Sequence, residues 1–336
     1  MRIVVTGATG NVGTSLVSLL GDDPAVDVVV GVARRRPTWF PPKVDWVEAD
    51  VAVDDLEPIV DGADAVVHLS WLIQPARDPR AMWATNVVGT RRLADAVART
   101  GVPALVAASS VGAYSPARVG QVVDESWPTD GTPESSYSWQ KALEERTLDI
   151  LAERRPACRV VRVRPALIFK RDSARHVRNL FVGHLLPLGV LPVEAVARAV
   201  DHLPLTFQVV HAADVAAAIH RCLLTEVRGA FNLAAPGVLG RASRLGPPLV
   251  KAARPVLGAA WRARLVPVDP GWLSLASAAP LMSTERATSE LGWAPTRDAP
   301  TVLRELLGGL RDDAAFPTPP LAEQRLPTDA ATAPTT

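Results

Sequence analysis

Tyr137-Ser138-Trp139-Gln140-Lys141 sets a phenol and an ammonium four residues apart in a chain with only two tyrosines and four lysines. On a helix a four-residue step returns to the same face, so both groups can point into one site. A phenol near pKa ~10 is too weak a base to exchange a proton with a substrate at neutral pH. A compact ammonium beside it can depress that pKa, which would make the pair a general acid/base unit. YxxxK also occurs by chance in unrelated helices, so it needs support from elsewhere in the chain.

The support is a glycine-rich turn near the N-terminus. Arg2-Ile3-Val4-Val5 leads into Thr6-Gly7-Ala8-Thr9-Gly10-Asn11-Val12-Gly13, followed by the helix-forming Thr14-Ser15-Leu16-Val17-Ser18-Leu19-Leu20. Glycines at 7, 10 and 13 allow a tight turn, close approach of a pyrophosphate and packing of helix on strand. The helix then offers its free N–H groups, those of Asn11 and Val12 among them, and its positive dipole end to phosphates. A lone Gly-rich loop would be weak evidence, but here the required strand and helix flank it.

These two features need a scaffold, and the chain supplies one. Strands are expected at 27–33, 44–48, 64–69, 103–108 and 158–164, with helices near 53–61, 79–100 and 136–154 between them. That alternation predicts an α/β fold, a Rossmann-like doubly wound parallel sheet covered on both faces. A dinucleotide-binding domain is expected over 1–168, with segments near 206–235 returning to it. From about 170 the rhythm gives way to irregular Leu, Val and Pro-rich segments such as 185–192, so 169–312 is expected to form mainly a smaller substrate lobe. Residues 313–336 offer little to pack and are expected to be a disordered tail.

With 48% hydrophobic and 21% charged residues in 336, the composition suits a large core with a second lobe. A formal net charge of +1, with arginines matched by acids along the chain, gives no nucleic-acid or membrane surface. No apolar run reaches the ~18 residues that span a bilayer. Cys158 and Cys222 are widely separated and no secretory leader pattern opens the chain, so reduced thiols and a cytoplasmic location are expected.

The chain resembles the extended short-chain dehydrogenase/reductase family, also called the NAD-dependent epimerase/dehydratase family. The resemblance runs over nearly the whole chain. Beyond Gly7/Gly10/Gly13 and Tyr137/Lys141, it rests on Ala49-Asp50-Val51, Val67-His68-Leu69, Asn86-Val87-Val88-Gly89-Thr90, Ala108-Ser109-Ser110-Val111-Gly112-Ala113-Tyr114, Arg164-Pro165, Val210-His211-Ala212-Ala213-Asp214-Val215 and Leu291-Gly292-Trp293. It implies an enzyme in which Tyr137 is the acid/base, Lys141 also holds ribose hydroxyls, Ser110 bonds the same substrate oxygen and Asn86 holds backbone and water beneath the site. Ser109 is the adjacent alternative to Ser110. Asp50 and Val51 resemble the adenine contact, and Leu69, Ser70, Asn86 and Pro165 complete the cofactor residues it implies. Tyr114 is expected to be a packed aromatic, and His68 and His211 structural. Neither histidine has a second ligand at metal spacing, so no metal is expected. Helices 79–100 and 136–154 resemble the family's four-helix dimer face, which implies a homodimer.

At the end of the second strand, where NAD-binding chains usually carry an acid, stand Val32 and Ala33, and Arg34, Arg35 and Arg36 follow. A guanidinium, Arg34 first, could pair with a 2′-phosphate, which favours NADP; a solvated basic loop is the alternative and leaves NAD. Nucleotide-sugar epimerases carry a diphosphate-binding arginine on the strand before the late histidine and an Asn after the sixth strand. Here Phe207-Gln208 and Arg164-Pro165 take those places. Leu180, Phe181, Leu185, Leu186, Leu188, Val190, Leu191 and Leu205, with Trp71, could wall an apolar pocket, although each could equally belong to the lobe's core. The expected function is hydride transfer to or from a secondary alcohol or ketone of a moderately apolar small molecule. A nucleotide-sugar epimerase/dehydratase with tightly held NAD and a non-catalytic dinucleotide sensor are the alternatives.

Overall fold

The apolar runs become β1 Arg2–Thr6, β2 Val28–Ala33, β3 Val44–Glu48, β4 Ala65–His68, β5 Ala104–Ala108, β6 Arg159–Pro165 and β7 Gly229–Leu233. In the computed structural model, which describes residues 1–73, 78–183, 188–190, 192–243, 246–266 and 268–322, they form one parallel sheet in the order β7-β6-β5-β4-β1-β2-β3. The order reverses between β1 and β4, and this switch point opens a crevice at the carboxyl ends of the strands.

Both faces of the sheet are covered, which is why its strands read as continuous Val and Ile runs. Ile3, Val5, Val29, Val67, Val106 and Val161 pack against α1 (Asn11–Asp22), and the same layer continues to Val215 and Ile219 of a later helix, Ala212–Leu224. Val4, Val30, Val66, Leu105 and Val160 face the other way, onto Leu93 and Val97 of α2 (Thr90–Thr100) and Leu148 and Leu151 of α3 (Ser136–Arg154). Burial of each such side chain stabilises by roughly 1.5–3 kcal/mol.

Two expected helices differ in detail. Of 53–61 only Glu57–Val60 is helical, because the Asp54 carboxylate accepts from the Asp50 N–H and Asp50 Oδ1 from the Ala52 N–H, so side chains take the backbone into turns. The 79–100 stretch runs continuously, but Ala84–Gly89 within it is π-helical. The second lobe has its own core, in which Leu188, Val209 and Leu239 pack with Val302, Leu303, Leu306 and Leu310 of the helix Ala299–Arg311.

The expectation of a free tail from 313 is corrected as far as 322. Phe316 packs edge-on to Trp39 at 5.0 Å, Thr318 Oγ1 donates to the Thr9 carbonyl at 2.8 Å, and Leu321 is fully buried. The tryptophan after β2 and the free carbonyl of the glycine turn give this segment partners that its own composition does not reveal. Residues 323–336 lie outside the described residues. No helix among the described residues is long and apolar enough to cross a membrane, and no cluster of His, Cys, Asp and Glu among them could hold a metal ion.

Candidate active site

Two parts of the crevice carry the expected residues. At the switch point, Gly7 has φ +71, and a Cβ there would lie 2.6 Å from the Leu69 carbonyl carbon and 2.7 Å from the Ser70 nitrogen. A Cβ on Gly13 would lie 2.3 Å from the Gly7 oxygen, so only glycine lets α1 close onto the turn. Gly10 caps α1, and the N–H groups of Asn11, Val12 and Gly13 have no intrahelical acceptor. Asn11 Nδ2 donates to the Ile168 carbonyl at 3.1 Å, while its Oδ1 is buried without a partner among the described residues. This cradle, with free amides and an unmet polar atom, fits a dinucleotide pyrophosphate. Lys170 stands beside it, donating to Thr14 Oγ1 at 2.6 Å and Ser15 Oγ at 3.2 Å; burial pulls its pKa down to about 8.

Along the crevice, Arg34 is exposed immediately after β2. Asp50 is held in its turn just past β3, and Val51 is buried against Gly89, where a Cβ would come within 2.7 Å of Val51 Cγ2. Pro165 is buried as the last residue of β6.

The second part is built where α3 begins. Ser135 caps the helix by accepting from the Ser138 N–H, while Ser138 Oγ donates to the Gly112 carbonyl at 2.6 Å and accepts from the Thr132 N–H at 2.6 Å. These bonds fix the first turn of α3, and Tyr137 with it, against the loop after β5. In that loop Ser110 Oγ accepts from the Gly112 N–H at 3.0 Å and faces the Tyr137 hydroxyl, whose pKa it works to lower. A Cβ on Gly112 would meet Tyr137 Cε1 at 2.8 Å, so the ring depends on that glycine. Ser109 turns away and donates to Glu145 Oε1 at 2.5 Å. Asn86, fully buried in the π-helical segment, clasps Leu72 through its carbonyl (2.8 Å) and N–H (2.7 Å) and donates to Gln140 Oε1 at 2.8 Å. It thereby ties the loop after β4 to α3; π-turns recur at functional sites.

Known proteins resemble this chain in sequence and in fold. Residues 3–234 match the NAD dependent epimerase/dehydratase family. The chain belongs to that family. An uncharacterized protein of Mycobacterium tuberculosis is 32% identical over 317 residues, covering 93% of this chain and 30% of the relative. This chain therefore spans under a third of that relative's length. The UDP-glucose 4-epimerase of Mycolicibacterium smegmatis is 32% identical over 161 residues, covering 45% of this chain and 51% of its own. Among solved structures, the Thermus thermophilus UDP-glucose 4-epimerase complex with NAD superposes with a TM-score of 0.65 at 20% identity, covering 93% of this chain and 99% of that one, and so shares the fold.

Within this family frame the electrostatics carry a correction. The Lys141 ammonium donates to the Ala108 carbonyl and to Glu144 Oε2, each at 2.7 Å, and lies 3.4 Å from the centre of the Trp71 ring. Glu144 supplies a counter-charge to it inside the protein. Burial pushes Tyr137 up to about 12; Ser110 works against that shift and Glu144 adds to it. The net direction at the phenol is upward, and burial is its largest cause. Burial also drives Lys141 down and Glu144 up, each opposed by its partner. Burial alone would raise Glu145, but Arg164 and Ser109 hold it below the usual carboxylate range.

Several residues at the site were not singled out from sequence. Glu144 follows Lys141 by one helical turn, which was a readable signal. Trp272, on the helix Gly271–Ala278, lies over Tyr137 with ring centres 4.7 Å apart, and Phe181 meets Trp272 edge-on at 5.1 Å. Nothing local links position 272 to 137. Trp71 stands edge-on to Tyr137 at 6.0 Å, and its indole N–H is buried without a partner among the described residues.

Of the other apolar candidates, Leu188 is in the lobe's core, Val190 is exposed, and Leu185, Leu186 and Leu191 lie outside the described residues. Phe207 packs against the lobe's core, and Gln208 clasps the Met282 backbone. Tyr114 is buried and donates to Asn232 Oδ1 at 2.7 Å, as a packed aromatic should. His68 bridges Thr6 and Thr90 and is kept neutral, with burial pulling it to about 3; His211 caps the helix Ala212–Leu224 and contacts Glu305.

Proposed function

We propose that this chain is an NAD(P)-dependent oxidoreductase that interconverts a ketone and a secondary alcohol on an apolar, flat small molecule. The observation that carries this reading is the meeting of Ser110, Tyr137 and Lys141 under Trp71 and Trp272, at the same carboxyl end of the sheet as the glycine turn. A bound nicotinamide would exchange hydride with the substrate carbon. Tyr137 exchanges the proton with the substrate oxygen, Ser110 donates a hydrogen bond to that oxygen, and the aromatic rings exclude water and orient the ring system. The amides of Asn11, Val12 and Gly13 hold the pyrophosphate, Asp50 and Val51 border the adenine, and Arg34 favours NADP over NAD. Asn86 keeps Trp71 and α3 in register.

Phe207 supports an apolar substrate, since it leaves no guanidinium at the place where a nucleotide diphosphate would need one, and burying that charge unpaired is unfavourable. Half-exposed Trp83 and Ile150 on the helices 79–100 and 136–154, with Trp83 stacked near Trp139, support a homodimer. Two buried, unbonded cysteines suit a cytoplasmic setting.

The test is purified protein with NADH or NADPH and a panel of apolar cyclic and aromatic ketones, alongside calorimetry with UDP and UDP-glucose. Net cofactor oxidation, with UDP binding no tighter than about millimolar, is expected. Micromolar UDP binding without net turnover would make the chain an epimerase or dehydratase. Dinucleotide binding with neither would make it a sensor.

A further inference from the structure

We propose that Lys170 is a positioning residue for the dinucleotide: its ammonium, buried against the first turns of α1, supplies a positive charge that a pyrophosphate in the glycine turn balances. The proposal rests on the reading of that turn as the dinucleotide site.

Lys170 follows the short strand Leu167–Phe169, which passes the start of α1 where Asn11 Nδ2 donates to the Ile168 carbonyl at 3.1 Å. From there its Nζ donates to Thr14 Oγ1 at 2.6 Å and to Ser15 Oγ at 3.2 Å. The Thr14 hydroxyl in turn donates to the Gly10 carbonyl at 3.0 Å, so a single hydroxyl separates the ammonium from the residue that caps α1. The C-terminal segment closes the site: the Phe316 ring centre lies 5.3 Å from Nζ, and Thr318 holds the Thr9 carbonyl of the turn. Only 7% of Lys170 is exposed, so water screens its charge poorly.

No carboxylate pairs with this ammonium among the described residues. The acids on neighbouring elements are engaged elsewhere: Asp312 by Arg171 and Arg311, Asp313 by Arg175 and Arg178, and Glu305 by Arg297 and His211. Exposed Asp172 supports the charged form only through its field. His211 brings no negative charge; burial holds it below the usual imidazole range, with Arg297 and Lys170 adding to that effect and Glu305 and Asp214 opposing it. The positive dipole end of α1 lies alongside and disfavours a further cation. Burial, the largest cause, pulls Lys170 down to about 8. An anion held by the amides of Asn11, Val12 and Gly13 would answer both the helix end and the ammonium.

Such an anion favours the charged form and raises the Lys170 pKa. The sign of the pH effect follows by linkage. The charge contributes fully to affinity below about pH 8, where Lys170 of the free protein is protonated, and its contribution is lost as pH rises through the higher value in the complex.

The chain has only four lysines, so lysine labelled with 13C at Cε gives four NMR signals, and Lys170→Met removes the one to follow. In the full chain without ligand that signal is expected to titrate near pH 8. Saturating NAD or NADP is expected to raise its midpoint by ~1 unit, while adenosine, which has no phosphate, leaves it in place. A shift with dinucleotide under about 0.3 units, or an equal shift with adenosine, overturns the proposal. By the same linkage, calorimetry near about pH 7 is expected to find Lys170→Met binding the dinucleotide about tenfold more weakly, without the decline that wild type shows above about pH 8. Unchanged affinity there overturns the proposal. Should Lys170→Met fail to fold, Lys43→Arg, Lys141→Arg and Lys251→Arg assign the other signals and leave that of Lys170 by elimination. No binding of either dinucleotide would sink the reading of the turn and the proposal with it, whereas saturable binding with an unmoved Lys170 signal would sink the proposal alone.

Discussion

The glycine turn and the Tyr137 corner lie at the carboxyl end of one sheet and are built in opposite ways. The turn is made of backbone: three glycines, a helix start and free amides, all within one short stretch of sequence. The corner is made of side chains from the loop after β5, the loop after β4, the first turns of α3 and the helix 271–278. Backbone chemistry tolerates almost any neighbour but no Cβ. Side-chain chemistry tolerates rearranged backbone but depends on which charges are paired.

The strongest way to break this contrast is Tyr137→Phe. Removing one phenolic proton is expected to cut turnover by ~10²–10⁴-fold while leaving dinucleotide affinity nearly intact, since only the acid/base group is lost. Turnover within a factor of two of wild type would end the catalytic reading, and a large loss of affinity would make the residue structural.

Gly13→Ala should do the reverse. Its Cβ would sit 2.3 Å from the Gly7 oxygen, and because that contact is backbone the turn itself must shift, at ~1–3 kcal/mol. The melting temperature and the affinity for NAD are both expected to fall, the latter by about tenfold or more. Unchanged affinity in a stably folded variant would show that the turn does not hold the pyrophosphate.

The smallest effect is expected at Arg34→Ala, because an exposed guanidinium is screened by water. NADP(H) is expected to weaken by about fivefold and NAD(H) hardly at all. Equal losses in a fluorescence titration would place Arg34 on a solvated loop and leave NAD as the working cofactor.

How much of this was legible depended on the range of the signal. The strands at 44–48 and 104–108, and the helix 136–154, are visible in local alternation and periodicity. The π-helical turn at 84–89 was not, because a continuous helical pattern does not show which hydrogen-bond spacing the packing of Asn86 onto Leu72 and Gln140 will select. Likewise Phe316 and Thr318 looked like tail, since their partners are Trp39 and Thr9, close to three hundred residues earlier.

The sequence by itself determined the class of chemistry. A YxxxK step on a helix and a glycine turn between strand and helix are local patterns, and local geometry alone is enough to bring those groups onto one face or to free those amides. Only the tertiary structure decided how the chemistry is poised. Whether Lys141 faces the phenol or is matched by Glu144, and whether Trp71 and Trp272 close over Tyr137, are questions of distance between elements remote in sequence. Charge interactions in a buried site depend on that distance and on exclusion of water, and neither is written in the spacing of residues along the chain.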